Sequence, residues 1–348
     1  MVSRTERIMK KKSIRYAAGI LVTALALWLS FRNLDWQTLR ESFSRVNLFW
    51  VVLAVSNVLL SVYIVGWRWQ ILLRSKTHIP LTDIFRFNII SQYLNIIVPA
   101  RFGELLKAWL ASRKYSISGS YVLGTVVIEK IVESLIVVTL GLLVPVFFTF
   151  QTRLKGYTVA VVIFLLLIPL LTLVIWKRET VRKWLTRLAG VFPGKLKKRI
   201  LNFLEKGIEA FALLKNINMS LRIVLISILV ILSQVITTLI LFKAYGLRLF
   251  FFEALILQLV LIVGMAIPSV PGKIGVFEYT VILALSMFDI EKNIALSFGL
   301  MLHVIAHLPK IILGFVFMTN LNISLKKTEK ELDKFEGEIK TSGERTTP

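Results

Sequence analysis

The sequence contains no cysteine. That excludes disulfides, thiolate metal sites, cysteine nucleophiles and haem attachment through CxxCH, and it leaves the redox compartment undetermined. Charge is also scarce. Asp, Glu, Lys and Arg make up 18% of the 348 residues, against about 25% in an ordinary soluble domain. Acidic residues are scarcest, at 20 against 43 Lys and Arg. There is no DxD-type acidic pair and no glycine loop of the kind that cradles a nucleotide. With 3 histidines in the chain, a metal site has few ligands to draw on. His303 and His307 stand four apart in "HVIAH", but Val304 occupies the glutamate position of HExxH. No metal and no cofactor is therefore expected.

Apolar residues fill the space that charge leaves. The chain is 56% hydrophobic, with a mean hydropathy of +0.74. Several runs approach or exceed the ~20 apolar residues that cross a bilayer as a helix. They lack the polar face that a helix of a soluble core would carry. The net charge of +23 would suggest nucleic acid in a soluble protein. Here the basic residues sit in short connections between apolar runs. That is the positive-inside pattern, with attraction to anionic head groups, and it argues against nucleic acid as a partner.

The segment "MVSRTERIMKKKSIR", residues 1–15, is basic and expected in the cytoplasm. The apolar run at 16–31 is long and lacks a small-x-small cleavage site, so it is expected to be a retained first span. Further spans are expected at 48–66, 121–150, 157–176, 221–245 and 294–319. "WRWQILLRSKTH" follows the second run. Its Trp67 and Trp69 are expected at the membrane interface, with Arg68, Arg74 and Lys76 on the cytoplasmic side. The stretch 84–99, "IFRFNIISQYLNIIVP", is too short and too polar for a full span. Together with 254–267 and 276–288 it is expected to form re-entrant or broken helices. Between 177 and 215 there are eleven Lys or Arg and three Glu, and apolar residues recur at helical spacing. The connection 177–219 is expected to form two amphipathic helices on the cytoplasmic surface, split at "PG". The tail 321–348 is charged, poor in large apolar residues and expected to be disordered. The fold expected is all-α: a polytopic helical membrane protein of about eight spans. Its two halves, 16–176 and 220–320, are expected to form an internal repeat, with both termini cytoplasmic and the protein integral to the plasma membrane.

Two stretches carry the chemistry. In "NIIVPARFGELLKAWL", Pro99 disfavours a helical Val98 and so ends the preceding helix. A new helix begins well with proline. Arg101, Glu104 and Lys107 then recur at three-residue spacing on one helical face, and Gly103 allows close approach. In "IPSVPGKIGVFEYT", Pro268 and Pro271 break the helix, Gly272 and Gly275 leave the backbone open, and Lys273 and Glu278 supply a cation and an anion. Interrupted segments at matching places in two halves are the sequence pointer to a transporter's central site. Freed N–H groups and a nearby Lys or Arg suit a phosphate. The alternative is a pair of surface loops with ordinary interfacial charges.

"PARFGE" followed by Lys107, together with "PGKIGVFE" in the second half, resembles the flippase-like membrane family that includes the transmembrane region of lysylphosphatidylglycerol synthases. The resemblance covers nearly the whole chain from the first span to about Thr319. It implies a helical bundle with an internal repeat and re-entrant segments, and movement of polar-headed lipids between leaflets. By position, Arg101, Gly103 and Glu104 match the first motif; Pro271, Gly272, Gly275 and Glu278 match the second. Lys273 stands where the family often has a second glycine. No stretch of the chain corresponds to the soluble aminoacyl-transferase domain of full-length lysylphosphatidylglycerol synthases.

"VVIEKIVESLIVV" places Glu129, Lys130 and Glu133 within a long apolar run. A charge at the bilayer centre costs about 2.5–3.5 kcal/mol on the insertion scale, so such residues face a bundle interior and have partners. The resemblance suggests an acidic–basic pair here, which Glu129 and Lys130 would form. Ion coupling, head-group contact and a structural ion pair all remain open. His303 stands where the family tends to have Arg, which would make its charge depend on pH near neutrality. Lys310 either snorkels to the interface or reaches the site. Tyr93 and Trp109 are expected as interfacial anchors.

The expected function is translocation of a polar-headed, phosphate-bearing lipid. Phosphate would sit near Arg101, Lys107 and Lys273, and Glu104, Glu278 and Glu129 would bind a cationic group, an ion or a proton. The expected partners are membrane lipids, anionic or linked to polyprenyl phosphate, with a homo-oligomer or a lipid-modifying enzyme as further partners. The alternatives are a membrane-embedded transferase using Glu104 or Glu278 as general base, and a non-catalytic partner of such an enzyme.

Overall fold

The computed structural model describes residues 19–98, 102–147 and 216–321. Every regular element among them is helical. The segments 1–15 and 157–176, nearly all of the connection 177–219, the tail beyond 321, and Pro99 and Arg101 lie outside the described residues.

The helices are α1 (Gly19–Phe31), α2 (Trp36–Ser44), α3 (Leu48–Leu73), α4 (Leu81–Ile97), α5 (Phe102–Tyr115), α6 (Gly119–Phe147), α7 (Ile217–Ala244), α8 (Phe251–Gly264), α9 (Val276–Ser286) and α10 (Lys292–Asn320). A 3-10 turn at Pro271–Lys273 lies between α8 and α9. Among the described residues three helices, α3, α7 and α10, are long and apolar enough to cross a membrane. At about 1.5 Å per residue each exceeds the ~30 Å of a hydrocarbon core. Large apolar side chains on them, such as Leu60, Leu225 and Phe315, are exposed, as a lipid solvent permits. Helix α6 has comparable length, but Glu129, Lys130 and Glu133 interrupt its apolar run.

Caps set where several helices start. Asn47 Oδ1 accepts from Phe49 N at 3.0 Å, and Asn216 Oδ1 accepts from Asn218 N and Met219 N at 3.1 and 3.2 Å. Each side chain satisfies N–H groups that a first turn leaves without a partner. Gly246, at φ +67°, closes α7.

One order of elements occurs twice. Helices α3 to α6 run long, short, short, long, at 26, 17, 14 and 29 residues. Helices α7 to α10 repeat the order, at 28, 14, 11 and 29 residues. In each set the interruption falls between the two short helices. Helix α4 stops at Ile97, ahead of Pro99, as the proline dictates.

Two compact units form. One comprises 19–62, 92–98 and 231–315 with Phe102; the other comprises 63–91, 103–147, 216–230 and 316–321. In the first, α8 packs on α9 so closely that a Cβ at Gly264 would meet Thr280 Cγ2 at 2.6 Å. Phe242, Tyr245 and Phe298 stack nearby, with ring centroids 5.3 and 5.4 Å apart. In the second unit, Ile64, Ile226 and Val230 form an apolar cluster, and Trp69, Leu72, Leu73 and Ile84 are wholly buried.

The second span does not end at residue 66. Helix α3 continues to Leu73. Arg68 and Trp69 are both buried within the second unit and present no side chain to lipid or water, and of the two tryptophans only Trp67 is exposed. Successive helical residues point about 100° apart, so neighbours in sequence meet different surroundings. Tyr93 is likewise buried, against Gly314 of α10, rather than exposed as an anchor.

Candidate functional site

The second unit buries a connected set of charges. Arg68 on α3 donates from Nη2 to Glu129 Oε1 at 2.7 Å and from Nη1 to Ser227 Oγ at 2.9 Å. Glu133, one turn beyond Glu129, lies 3.5 Å from the same Nη2. Lys107 on α5 donates to the other oxygen of Glu129 at 3.0 Å and to Asn88 Oδ1 at 3.2 Å. Its ammonium also sits 4.4 Å from the centre of the Trp69 ring, a cation–π contact. Trp69 in turn donates its indole N–H to Thr125 at 3.1 Å. Glu129 thus receives one cation on each carboxylate oxygen, the arrangement that lets a buried carboxylate remain ionised.

The set continues toward the surface. Glu104 lies 3.7 Å from Lys107 and 3.8 Å from Lys130, and Lys130 lies 3.5 Å from Glu133. Side-chain exposure rises from 1% at Arg68, through 27% and 30% at Glu104 and Glu133, to 56% at Lys130. Three cations and three carboxylates balance. Two atoms stay unsatisfied: Arg68 Nε and Glu104 Oε2 are buried without a hydrogen-bond partner. Gly103, buried in the first turn of α5, sits beside Glu104.

Glu129 does not hydrogen-bond to Lys130. Its partners are Arg68 and Lys107, while Lys130 reaches Glu104 and Glu133. The reason is again the 100° step along a helix. Arg68 escaped the sequence reading because a single Arg behind an apolar run looks like an interfacial charge. The apolar residues that follow it, Ile71 to Leu73, were the available signal that the helix continues.

The first unit holds the second motif. Gly272 and Gly275 take φ of +74° and +83°, and Lys273 takes +60° without the freedom of glycine. The broken backbone finds partners both within the segment and on α1. Val270 N donates to Thr23 Oγ1 at 3.2 Å, and Lys273 Nζ donates to the carbonyl of Ile267 at 2.8 Å. Gly275 N donates to Glu278 Oε2 at 2.6 Å. The helix start expected to hold a ligand anion thus holds the protein's own Glu278. A Cβ on Gly275 would meet Leu27 Cγ at 2.9 Å and the Thr23 carbonyl at 3.0 Å, so α1 approaches closely there. Pro268 and Pro271 flank Ser269, whose buried hydroxyl has no partner.

Glu278 is buried, and its other oxygen, Oε1, lies 2.6 Å from His303 Nδ1. The imidazole rings of His303 and His307 lie 4.5 Å apart on α10, and Phe277 lies 4.6 Å from the His303 ring. His307 Nδ1 is 3.0 Å from the carbonyl of His303. A carbonyl only accepts, so Nδ1 carries the hydrogen. Pro309 sits inside α10 and has no N–H to give the carbonyl of Ile305. Glu104, Lys107, Glu129 and Lys130 therefore assemble in one unit, and Lys273, Glu278 and His303 in the other. Among the described residues no three of His, Asp and Glu are placed to share a metal ion.

Residues 16–314 match the family model described as "Lysylphosphatidylglycerol synthase TM region". The chain is 23% identical over 333 residues to the UPF0104 membrane protein PH1989 of Pyrococcus horikoshii, covering 89% of this chain and 97% of that protein. It is 22% identical over 245 residues to the UPF0104 membrane protein MJ1078 of Methanocaldococcus jannaschii, covering 68% of this chain and 98% of that one. No solved structure matches.

Proposed function

Since the chain belongs to the family of the lysylphosphatidylglycerol synthase transmembrane region, and is an integral membrane protein, we propose that it moves a polar-headed, phosphate-bearing lipid between leaflets. The head group travels through the protein while the tails remain in the bilayer.

The observation that supports this most is the graded ion network. An isolated structural salt bridge would need one cation and one anion. Here six charges run from the half-exposed Lys130 to the wholly buried Arg68. A phosphate replaces a carboxylate at Lys130 and then at Lys107, and Glu104 and Glu133 are left to bind a cationic group, an ion or a proton. Each exchange swaps one charge-assisted contact for another, so no charge is left bare in a low dielectric. Arg101, three residues before Glu104 in the sequence, is a further cation of the same motif. We place the protein in the plasma membrane with its basic connections in the cytoplasm, because Lys and Arg accumulate on that side.

The test uses purified protein in vesicles carrying head-group-labelled lipids. An impermeant quencher reports which labels reach the outer leaflet. Wild type should lose protection of the inner-leaflet label, and Glu104→Gln, Lys130→Gln and Arg101→Ala should restore it. Full protection with wild type, across phospholipids and polyprenyl phosphates alike, would sink the reading and favour a membrane-embedded transferase.

A further inference from the structure

The two units hold their buried carboxylates by different chemistry. Glu129 is paired with the Arg68 guanidinium and the Lys107 ammonium. Glu278 has a histidine in that place. Histidine alone among the side chains ordinarily gains and loses its charge near neutrality. We propose that Glu278 and His303 form a proton-binding site, and that taking up and releasing one proton there is coupled to the protein's transport cycle. The coupling rests on the translocation reading; the proton site does not.

The geometry fixes the roles. Glu278 Oε2 accepts from Gly275 N at 2.6 Å, and Oε1 pairs with His303 Nδ1 at 2.6 Å. With Nδ1–H directed at the carboxylate, the neutral ring keeps its lone pair on Nε2, and that atom takes the proton. The imidazolium so formed retains its Nδ1–H on Glu278, so the pair changes from net −1 to neutral. Release of the proton from Nε2 restores the first state, and no other bond changes. Each state has a distinct cost. The neutral ring leaves Glu278 as a buried anion supported by two N–H groups alone, whereas the cation completes a buried ion pair.

The surrounding groups define the path. His307 lies one turn along α10, with its ring 4.5 Å from that of His303. Its Nδ1–H is committed to the His303 carbonyl, so its Nε2 is also an acceptor when the ring is neutral. Lys310 follows within the next turn of α10. Lys273, in the broken segment, directs its ammonium to the Ile267 carbonyl. Phe277 covers the His303 ring at 4.6 Å and limits water at the pair. A pair joined across two helices changes its attraction when the proton leaves. Helix α9 begins at the glycine that Glu278 itself caps, so the weakening acts on the helix start that follows the broken segment. That is where a transport cycle needs two states.

Two measurements decide it. In lipid nanodiscs, 15N-histidine spectra of the full chain are followed over about pH 5–9, with His303→Gln to assign the His303 signals. His303 should pass from a neutral ring protonated at Nδ1 to the cation within that window. Glu278→Gln should move the midpoint by at least about one pH unit. A ring that holds one charge state throughout, or a midpoint unmoved in Glu278→Gln, overturns the proton site whatever the transport result. The second measurement uses vesicles of phosphatidylcholine and phosphatidylglycerol with labelled phosphatidylglycerol and a luminal pH dye. Wild-type lipid movement should change about tenfold per pH unit on one limb and carry protons with it. His303→Arg, which holds the pair in its neutral state, should flatten the pH profile and lose the luminal pH change. A wild-type pH profile in His303→Arg overturns the coupling. If wild type moves no labelled lipid and no protons under an imposed gradient, the translocation reading and the coupling both fall, and the nanodisc titration alone decides the site.

Discussion

Arg68 and Glu129 stand 61 positions apart in the sequence and 2.7 Å apart in the structure, with 1% and 2% of their side chains exposed. Neither can be removed alone without leaving the other charged and desolvated. Arg68→Gln and Glu129→Gln should each cost about 3–5 kcal/mol, and the double variant less than the sum. Thermal unfolding in detergent across the four proteins measures the coupling. Additive losses would show that the two charges do not stabilise each other.

Lys130 offers the contrast. It follows Glu129 directly, yet half of its side chain is exposed and it reaches Glu104 and Glu133 at 3.8 and 3.5 Å. Lys130→Gln should change stability by no more than about 1 kcal/mol. A loss as large as that of Lys107→Gln would mean that Lys130 supports the buried charges as much as Lys107 does.

Gly275 should tolerate no side chain. Its φ is +83°, and Leu27 and the Thr23 carbonyl stand within 3.0 Å of where a Cβ would be. Gly272 shares the positive φ but has nothing nearer than 3.7 Å. Gly275→Ala should therefore destabilise by more than the ~1 kcal/mol expected from the backbone alone at Gly272→Ala. Lys273, at φ +60°, should gain backbone stability on Lys273→Gly. Melting temperatures in one detergent rank all three.

Asp83, at the start of the short helix α4, gives the protein an acid limit. Burial pushes its carboxyl up, but Lys114 at 2.5 Å and the Tyr115 hydroxyl more than compensate and hold it below the usual aspartate value. A group depressed in the folded state contributes stability above its unfolded pKa and loses that contribution as pH falls through the folded one. The loss should begin below about pH 4 and be absent in Asp83→Asn. Melting temperature against pH for the two proteins is the check. Identical acid limbs would remove Asp83 as the cause.

The first motif shows how far spacing alone carries. Pro99 ended the helix at the residue before Val98 because its ring obstructs a helical neighbour. Glu104 and Lys107 do share a face, three apart. What spacing could not give was the partner. Lys107 turns from its own helix to Glu129, Asn88 and the Trp69 ring, contacts that depend on which helices pack together. At the second motif the glycines and Glu278 were legible, but the capture of Gly275 N by Glu278 was not. A freed N–H donates to whichever anion the fold brings nearest.

The sequence by itself determined an all-helical membrane protein. Long apolar runs have one stable solution in lipid, and prolines and paired glycines set the breaks. It also determined that buried ionisable groups would need partners, since the bilayer offers them no solvent. Only the tertiary structure decided who those partners are. Arg68 reads as an interfacial charge until α3 is seen to continue past it, and His303 has no named partner until Glu278 lies against it. Charge pairing acts over a few ångströms of space, and separation along the chain does not record that distance.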